Sequence, residues 1–418
     1  MSASSGNGII VVGGGQASVS LVAKLRGLGY CGPLTLIGAE PILPYQRPPL
    51  SKAYLLGEMG VERLLLKPAS FYADHDIDLR LGQFATRIDR GARTLQVGDE
   101  TFVYSQLALA TGSTARRLPL SIGGGLRGVH TIRNFADVDA MAEDLVPGKR
   151  LIIVGGGYIG LEAAAVAAKL KLDVTVIETA TRILQRVAST DTATYFRNLH
   201  AAHGVKIIEG IGVDRLTGNR RVRSAVLTDG RELPADLVIV GVGIVPAIAL
   251  AETAGLHIDN GISTDEFGRT TDPSIWAAGD CASFPSSRRQ VRLESVGHAI
   301  DHAECVAANM LGAEKRYVAK PWFWSDQYDV KLQIAGLNSS HDRVVARGSE
   351  GVSRSFWYYR GDKLLALDAI NDPRAYMVGK RLIETGQTVA ADSVADTSRD
   401  IKSILAEATE FHHPQGGP

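Results

Sequence analysis

Two glycine clusters, Gly13-Gly14-Gly15 and Gly155-Gly156-Gly157, stand where a chain could hold phosphate. Each follows a continuous apolar run, Gly8-Ile9-Ile10-Val11-Val12 in the first case and Leu151-Ile152-Ile153-Val154 in the second. Each leads into a helical pattern, through Leu21, Val22, Leu25 and Leu28 or through Leu161, Ala165 and Leu170. A second apolar run then ends on an acid, residues 34–37 on Glu40 and residues 174–177 on Glu178. Strand, glycine turn, helix, strand and acid is the order of a dinucleotide-binding βαβ unit. The first glycine permits a turn that side chains would obstruct, and the next lets backbone approach a pyrophosphate. Amides at the helix N-terminus face the phosphates, and the acid accepts ribose hydroxyls. The second unit is the cleaner, with Gly160 in place and Glu178 following Gly155 by 23 positions. In the first, Ser18 replaces the usual Gly or Ala, and Glu40 follows Gly13 by 27 positions.

The elements that must position these turns set the scale of the molecule. A length of 418 residues predicts two or three domains, and 45% hydrophobic residues suffice for their cores. Forty-five Gly against 16 Pro suits tight strand-to-helix turns. With 45 basic and 45 acidic residues, no global pull toward nucleic acid or a membrane is expected. Residues 1–7 lack the basic and apolar regions of a signal peptide. No apolar run reaches the roughly 18 residues of a membrane span, so a soluble, cytoplasmic protein is expected. Further strand-like runs end in small-residue turns at Leu107-Ala108-Leu109-Ala110-Thr111-Gly112, at Leu237-Val238-Ile239-Val240-Gly241-Val242-Gly243 and at Ile275-Trp276-Ala277-Ala278-Gly279-Asp280. From about Pro321, aromatics including Trp322, Trp324, Phe356, Trp357, Tyr358 and Tyr359 fall in alternating, strand-like runs. They predict a separate C-terminal domain of sheet plus helix. The polar tail, 411–418, is expected to fray.

Several motifs carry a resemblance that runs from about Gly8 to Leu405. They are the two glycine units, Arg47-Pro48-Pro49-Leu50-Ser51-Lys52, Ala110-Thr111-Gly112, Gly279-Asp280-Cys281, Glu294-Ser295-Val296 and Pro321-Trp322-Phe323-Trp324-Ser325-Asp326-Gln327. On these the chain resembles the FAD- and NADH-dependent ferredoxin reductases of bacterial oxygenase systems, the putidaredoxin reductase-like class. The resemblance implies an α/β protein with two Rossmann-like dinucleotide-binding domains, in a glutathione reductase-like fold, plus an α+β C-terminal domain. FAD would be held by 1–112 and 245–319, NADH by 113–244, and a partner by an interface domain at 320–405, before a tail at 406–418.

Residue by residue, the resemblance places Gly13, Gly15 and Ala17 on the FAD pyrophosphate turn, with Ser18 in the same cofactor-binding set, and Lys52 beside the isoalloxazine. It places Arg133 against FAD, Asp280 on the ribityl chain, and Val296 as a backbone contact to the flavin ring. Ala85, Thr111, Gly112 and Gly279 join the FAD set, and Glu40 is read as the ribose acid, although relatives often have Asp at the position of Ala39. Gly155, Gly157, Tyr158, Ile159, Gly160, Glu178 and Gly243 form the nicotinamide set. Trp324 is expected where electrons leave the flavin edge.

The expected chemistry is hydride transfer from NADH to FAD and then single-electron transfer to a two-iron two-sulfur ferredoxin. That ferredoxin would supply a cytochrome monooxygenase or a ring-hydroxylating dioxygenase. The cofactors carry this chemistry, so the protein must position them and manage charge. Ser295 reads as the N-cap of a helix whose amides would favour a reduced, anionic flavin. Lys52 and Glu162 are expected to pair and to fix charge near the flavin, against the plainer reading of two solvated surface charges. Glu178 favours NADH by repelling a 2′-phosphate, an effect that Arg182 and Arg186 could soften. Cys31, Cys281 and Cys305 offer no Cys-x-x-Cys pair, and Cys281 reads as a small buried residue. The histidines show no metal spacing, so no metal is expected. An acidic ferredoxin would need a basic patch, for which Lys52, Arg63, Lys331 and Arg354 are candidates, on a monomer or weak dimer. Two other readings stay open: an NADH oxidase or rubredoxin-type reductase on the same scaffold, and a redox-sensing NADH-binding flavoprotein.

Overall fold

A computed structural model describes residues 8–286, 289–349 and 353–410. The leader at 1–7 and the tail at 411–418, for which the sequence carries expectations, lie outside the described residues. The chain divides into two compact units. One comprises residues 8–49, Met59–Thr114 and Ile244–Ala319; the other comprises Leu50–Glu58, Ala115–Gly243 and 320–410.

In the first unit, strands Ile77–Leu81, Leu34–Gly38, Gly8–Val12, Glu100–Leu109 and Ile275–Ala277 lie side by side and parallel in that order. All five residues of Gly8–Val12 are buried, as a strand covered on both faces must be. One face carries helix Gln16–Gly27, which buries Leu21, Val22 and Leu25 completely against Ala299, Ala303 and Val306 of helix Val296–Met310. Full burial of each such side chain contributes roughly 1.5–3 kcal/mol. An antiparallel meander, Ala85–Asp89, Thr94–Val97 and the first part of Glu100–Leu109, extends the sheet.

The second unit repeats the plan. Strands Lys206–Glu209, Asp173–Glu178, Arg150–Val154, Leu237–Val240 and Val129–His130 form a parallel sheet in that order. Helix Tyr158–Lys169 follows the glycine turn and is buried from Gly160 through Ala167. After residue 320 the chain builds an antiparallel sheet ordered Trp322–Gln327, Val330–Gly336, Lys363–Ile370, Ser353–Arg360 and Arg343–Ser349. Helix Pro373–Glu384 packs on one face, capped by Asp372, whose side chain accepts from the Ala375 amide.

The aromatic run in Ser353–Arg360 serves two cores rather than one core and solvent. Trp357 and Tyr359 pack with Val378 and Leu382 of the helix. Phe356 and Tyr358, pointing the other way, pack with Leu161 of helix Tyr158–Lys169, with Leu184 and with Phe196.

A carboxylate lies inside that second core. Asp368 is fully buried; its Oδ2 accepts from Tyr358 and, at 2.8 Å, from Thr192, while Oδ1 has no hydrogen-bond partner. Burial pushes this carboxyl from the usual 3.8 up to about 6. A raised folded pKa means stability that is full below the unfolded value and is lost as pH rises through about 6. Asp368→Asn, which keeps an acceptor for both hydroxyls, should therefore stabilise the protein by about 2–3 kcal/mol at pH 8 and by almost nothing near pH 4. Unfolding measured at both pH values checks this; an equal effect at the two would remove ionisation as the cause.

Candidate functional site

In the first unit the glycine turn is built for close approach. Gly13 has φ +139°, and a Cβ there would fall 2.1 Å from the Ala110 carbonyl oxygen, so only glycine fits. Its amide donates to the Ile37 carbonyl at 2.8 Å, tying the turn to the neighbouring strand. Gly15, the N-cap of helix Gln16–Gly27, is the opposite case, since a Cβ there meets nothing within 4 Å. Ser18 is buried; its hydroxyl accepts from the Gly15 amide at 3.0 Å and donates to the Gly15 carbonyl at 2.8 Å. Ser18 thus closes the first turn of the helix and supports an open, amide-lined cradle of the kind that takes a pyrophosphate.

The strands and turns of that sheet place the other first-unit candidates. Glu40 lies just past strand Leu34–Gly38; it accepts from Arg47 at 2.6 Å and from the Tyr45 hydroxyl at 2.5 Å. Thr111 donates to the Ala247 carbonyl at 2.7 Å, and Gly112 accepts from the Ala247 amide at 2.9 Å. Asp280 sits on the short turn Gly279–Cys281 and accepts from Ser113 at 3.0 Å. Ala85 is half-buried at the start of its strand. Ser295 caps helix Val296–Met310 by accepting from the His298 amide at 3.2 Å. The Val296 amide therefore belongs to a first helical turn, whose N–H groups have no intrahelical acceptor. Cys281 is fully buried, and burial pushes its thiol up, away from thiolate chemistry.

The second unit presents a matching cradle. Gly155 has φ +108°, and a Cβ would fall 2.4 Å from the Gly241 carbonyl oxygen. At Gly157 the space is open, whereas at Gly160 a Cβ would meet the Gly155 carbonyl oxygen at 2.1 Å. Glu178 accepts from the Gly156 amide at 2.7 Å and from the Ala180 amide at 2.8 Å. Those bonds aim the carboxylate at the turn; Oε1 also accepts from the Thr179 hydroxyl at 3.3 Å, so the lone pair left for a ribose hydroxyl is on Oε2. Arg182 is spent on backbone, donating to the carbonyls of Ile183, Gln185, Ala188 and Ser189. Arg186 is exposed close to Gly243. Tyr158 packs its ring 4.7 Å from Phe323, Ile159 is exposed, and Arg133 is half-buried just beyond strand Val129–His130.

Lys52, Glu162 and Trp324 also belong to the second unit, and the structure brings them together. Lys52 Nζ is 3.0 Å from Glu162 Oε1, with the side chains 16% and 4% exposed. Neither is a solvated surface charge. Lys52 Nζ also lies 5.8 Å from the Trp324 ring centroid, and Trp324 stacks with Trp322 at 5.6 Å. Two hydroxyls not singled out in the sequence complete the site: Ser51 donates to Glu162 Oε2 at 2.6 Å and Ser325 to Oε1 at 2.7 Å. Burial raises the Glu162 carboxyl above its usual 4.5, opposed by Lys52 and by both hydroxyls. Three donors on two oxygens make a socket for an ionised carboxylate. Of the basic candidates for a partner surface, Lys52 is committed to this pair and Lys331 to Asp326 at 2.8 Å. Arg354 lies over the Phe356 ring, and Arg63 is exposed. Among the described residues no group of three or more His, Cys, Asp or Glu could hold a metal, and no helix is long and apolar enough to cross a membrane.

These cradles can be set beside known proteins. Residues 7–303 match the pyridine nucleotide-disulphide oxidoreductase family, and 322–405 match the reductase C-terminal domain. Rhodocoxin reductase of Rhodococcus erythropolis is 41% identical over 97% of this chain and 96% of its own length. Putidaredoxin reductase of Pseudomonas putida is 39% identical over 96% and 97%. The crystal structure of the covalent putidaredoxin reductase–putidaredoxin complex aligns with a TM-score of 0.92 at 38% identity, covering 96% of this chain and 98% of that one. With two nucleotide cradles, a buried Lys–Glu pair and full-length similarity of this order, the chain belongs to the pyridine nucleotide-disulphide oxidoreductase family, among its ferredoxin reductases.

Proposed function

We propose that this enzyme takes electrons from NADH and delivers them one at a time to a two-iron two-sulfur ferredoxin. That ferredoxin serves a cytochrome monooxygenase or a ring-hydroxylating dioxygenase. The observation that carries the reading is a pair of amide-lined cradles in a chain whose three cysteines are all free, so electrons have no dithiol to pass through. FAD and NADH bound in the two cradles would supply the chemistry, converting a two-electron donor into single-electron steps.

The chain's own residues bind, orient and set charge. Segments 1–112 and 245–319 hold FAD: Gly13, Gly15, Ala17 and Ser18 form the pyrophosphate turn, Glu40 takes the ribose, and Asp280 takes the ribityl chain. Ala85, Thr111, Gly112 and Gly279 line the site, and the amide of Val296 and its helix N-terminus favour negative charge. Segment 113–244 holds NADH through Gly155, Gly157, Tyr158, Ile159, Gly160 and Gly243, with Glu178 on the ribose and Arg133 toward FAD. Lys52 and Glu162 fix the local charge, and Trp324 marks the exit for electrons. Residues 320–405 form the domain that meets the ferredoxin. The enzyme works in the cytoplasm, where NADH is available, as a monomer or weak dimer.

Purified protein should be yellow and should bleach anaerobically with NADH. Because Glu178 repels a 2′-phosphate and Arg182 is tied to carbonyls, kcat/KM for NADH should exceed that for NADPH by about 100-fold. Turnover should be fastest with a two-iron two-sulfur ferredoxin among ferredoxin, rubredoxin and dioxygen. A preparation that cannot be made to hold flavin, or that prefers rubredoxin or dioxygen, would end the proposal.

A further inference from the structure

Glu162 is buried against Lys52, and the donors around it can be followed outward atom by atom. Ser325 Oγ is 2.7 Å from Glu162 Oε1, so its hydrogen goes to the carboxylate. Only lone pairs then remain on Ser325 Oγ for Gln327 Nε2 at 3.1 Å, which donates to it. That orientation turns Gln327 Oε1 toward His200 Nε2 at 2.8 Å, so His200 carries its hydrogen on Nε2. His200 Nδ1 is left as the acceptor for Tyr328 Oη at 3.2 Å. Burial keeps the Tyr328 hydroxyl protonated by raising it well above the ordinary tyrosine range. Burial also lowers His200 to about 4, so its ring is neutral. His200, Ser325 and Gln327 are completely buried. Every donor in the series faces the same way, toward one carboxylate, and bonds so aligned polarise one another.

Local geometry argues against incidental packing. Tyr328 opens the two-residue connection between strands Trp322–Gln327 and Val330–Gly336 with φ +58°, a conformation usually left to Gly or Asn. The strained backbone delivers its hydroxyl to His200 and stacks its ring on His203 at 3.6 Å. Around this series His203 acts on His200, Lys52 and Ser51 act on Glu162, and the Glu162 charge in turn acts on Tyr158.

We propose that Tyr328, His200 and Gln327 are positioning residues that act through Ser325 to hold Glu162 as a carboxylate aimed at Lys52. The inference rests on the proposed function, because it concerns the charge presented by that same pair. The Gln327 amide fixes orientation along the series; no proton has to travel.

The test compares holoenzymes of the native chain, Gln327→Leu, His200→Leu, His200→Gln and Tyr328→Phe for their rate of bleaching by NADH from pH 6 to pH 9. The native profile should be flat to within about twofold. Both leucine variants should lose about tenfold at pH 6 relative to pH 9, because Ser325, no longer polarised and oriented by Gln327, donates more weakly to Glu162, which then takes up a proton as pH falls. His200→Gln keeps an N–H for Gln327 and should retain the native profile. Tyr328→Phe removes one oxygen only and should shift the profile in the same direction by about threefold, which keeps the test alive if the leucine variants fail to fold. Independently of turnover, ¹⁵N NMR of the oxidised holoenzyme should show His200 protonated on Nε2. Flat profiles in the leucine and Tyr328→Phe variants, or an Nδ1-protonated His200, would overturn the inference. A native protein that NADH does not bleach would instead overturn the functional reading, before any variant is made.

Discussion

Lys52→Met should cost about 3–5 kcal/mol of stability at pH 8, far more than the loss of a surface ion pair. Glu162 is only 4% exposed, and Lys52 is its one cationic partner among the described residues, at 3.0 Å. Methionine fills much the same volume, so packing changes little while the carboxylate loses its counter-charge. Burial already raises the Glu162 carboxyl above 4.5 and Lys52 is what opposes the rise, so removing Lys52 lifts it further. A group whose folded pKa is raised contributes stability below its unfolded value and loses it as pH climbs through the folded value. The deficit should thus be small near pH 5 and largest at pH 8. Adding Glu162→Gln removes the charge and keeps acceptor and donor atoms for Ser51 and Ser325, so the double variant should recover most of the loss. Thermal unfolding of the three proteins at pH 5 and pH 8 decides the matter. A pH-independent deficit would mean that Lys52 matters for its stem rather than its charge. Reduction by NADH should remain slow in both variants, because recovering stability does not restore the cation.

That pair also marks where the sequence stops being legible. The glycine cradles could be read directly, because each is written within some thirty consecutive residues. A parallel strand covered on both faces must be apolar throughout, and the close turn after it excludes side chains at Gly13 and Gly155. Lys52 and Glu162 come together only through the fold, and no local periodicity announces them; resemblance did. Ser51 and Ser325 lay inside the motifs that carried the resemblance, yet serine types are common and point to nothing until a buried carboxylate is seen beside them. Ser51 is 111 positions from Glu162. His200 was silent for a plainer reason, since it occupies a buried position of an ordinary amphipathic helix, Thr190–Ala202. The aromatic run 356–359 gave the strand but not its surroundings, because alternation looks the same whether the second face meets water or a second core. Segment Leu50–Glu58, which leaves the first compact unit for the second, has no compositional mark at all.

The cradles themselves make the other large prediction, through a contrast between two glycines in one turn. At Gly15 an added Cβ meets no atom within 4 Å, so Gly15→Ala should fold normally. On the proposed function, the methyl group would nevertheless stand where the pyrophosphate comes within hydrogen-bond distance of the helix amides. FAD affinity should fall by about 100-fold, equivalent to roughly 2.7 kcal/mol, and colour should return when FAD is added in proportion. Gly13→Ala is a different lesion: its Cβ would lie 2.1 Å from a backbone oxygen at φ +139°, so the strand–turn junction itself must move. That variant should lose colour and stability together and should not be rescued by excess FAD. Titration of each protein with FAD, followed by flavin fluorescence and by thermal unfolding, separates the two. Should Gly15→Ala bind FAD as tightly as the native chain, the phosphates do not approach this turn, and the cradle in the first unit is not the flavin site. Because a helix N-terminus offers its amides without rearrangement, the loss in Gly15→Ala should appear in the dissociation rate, with association nearly unchanged.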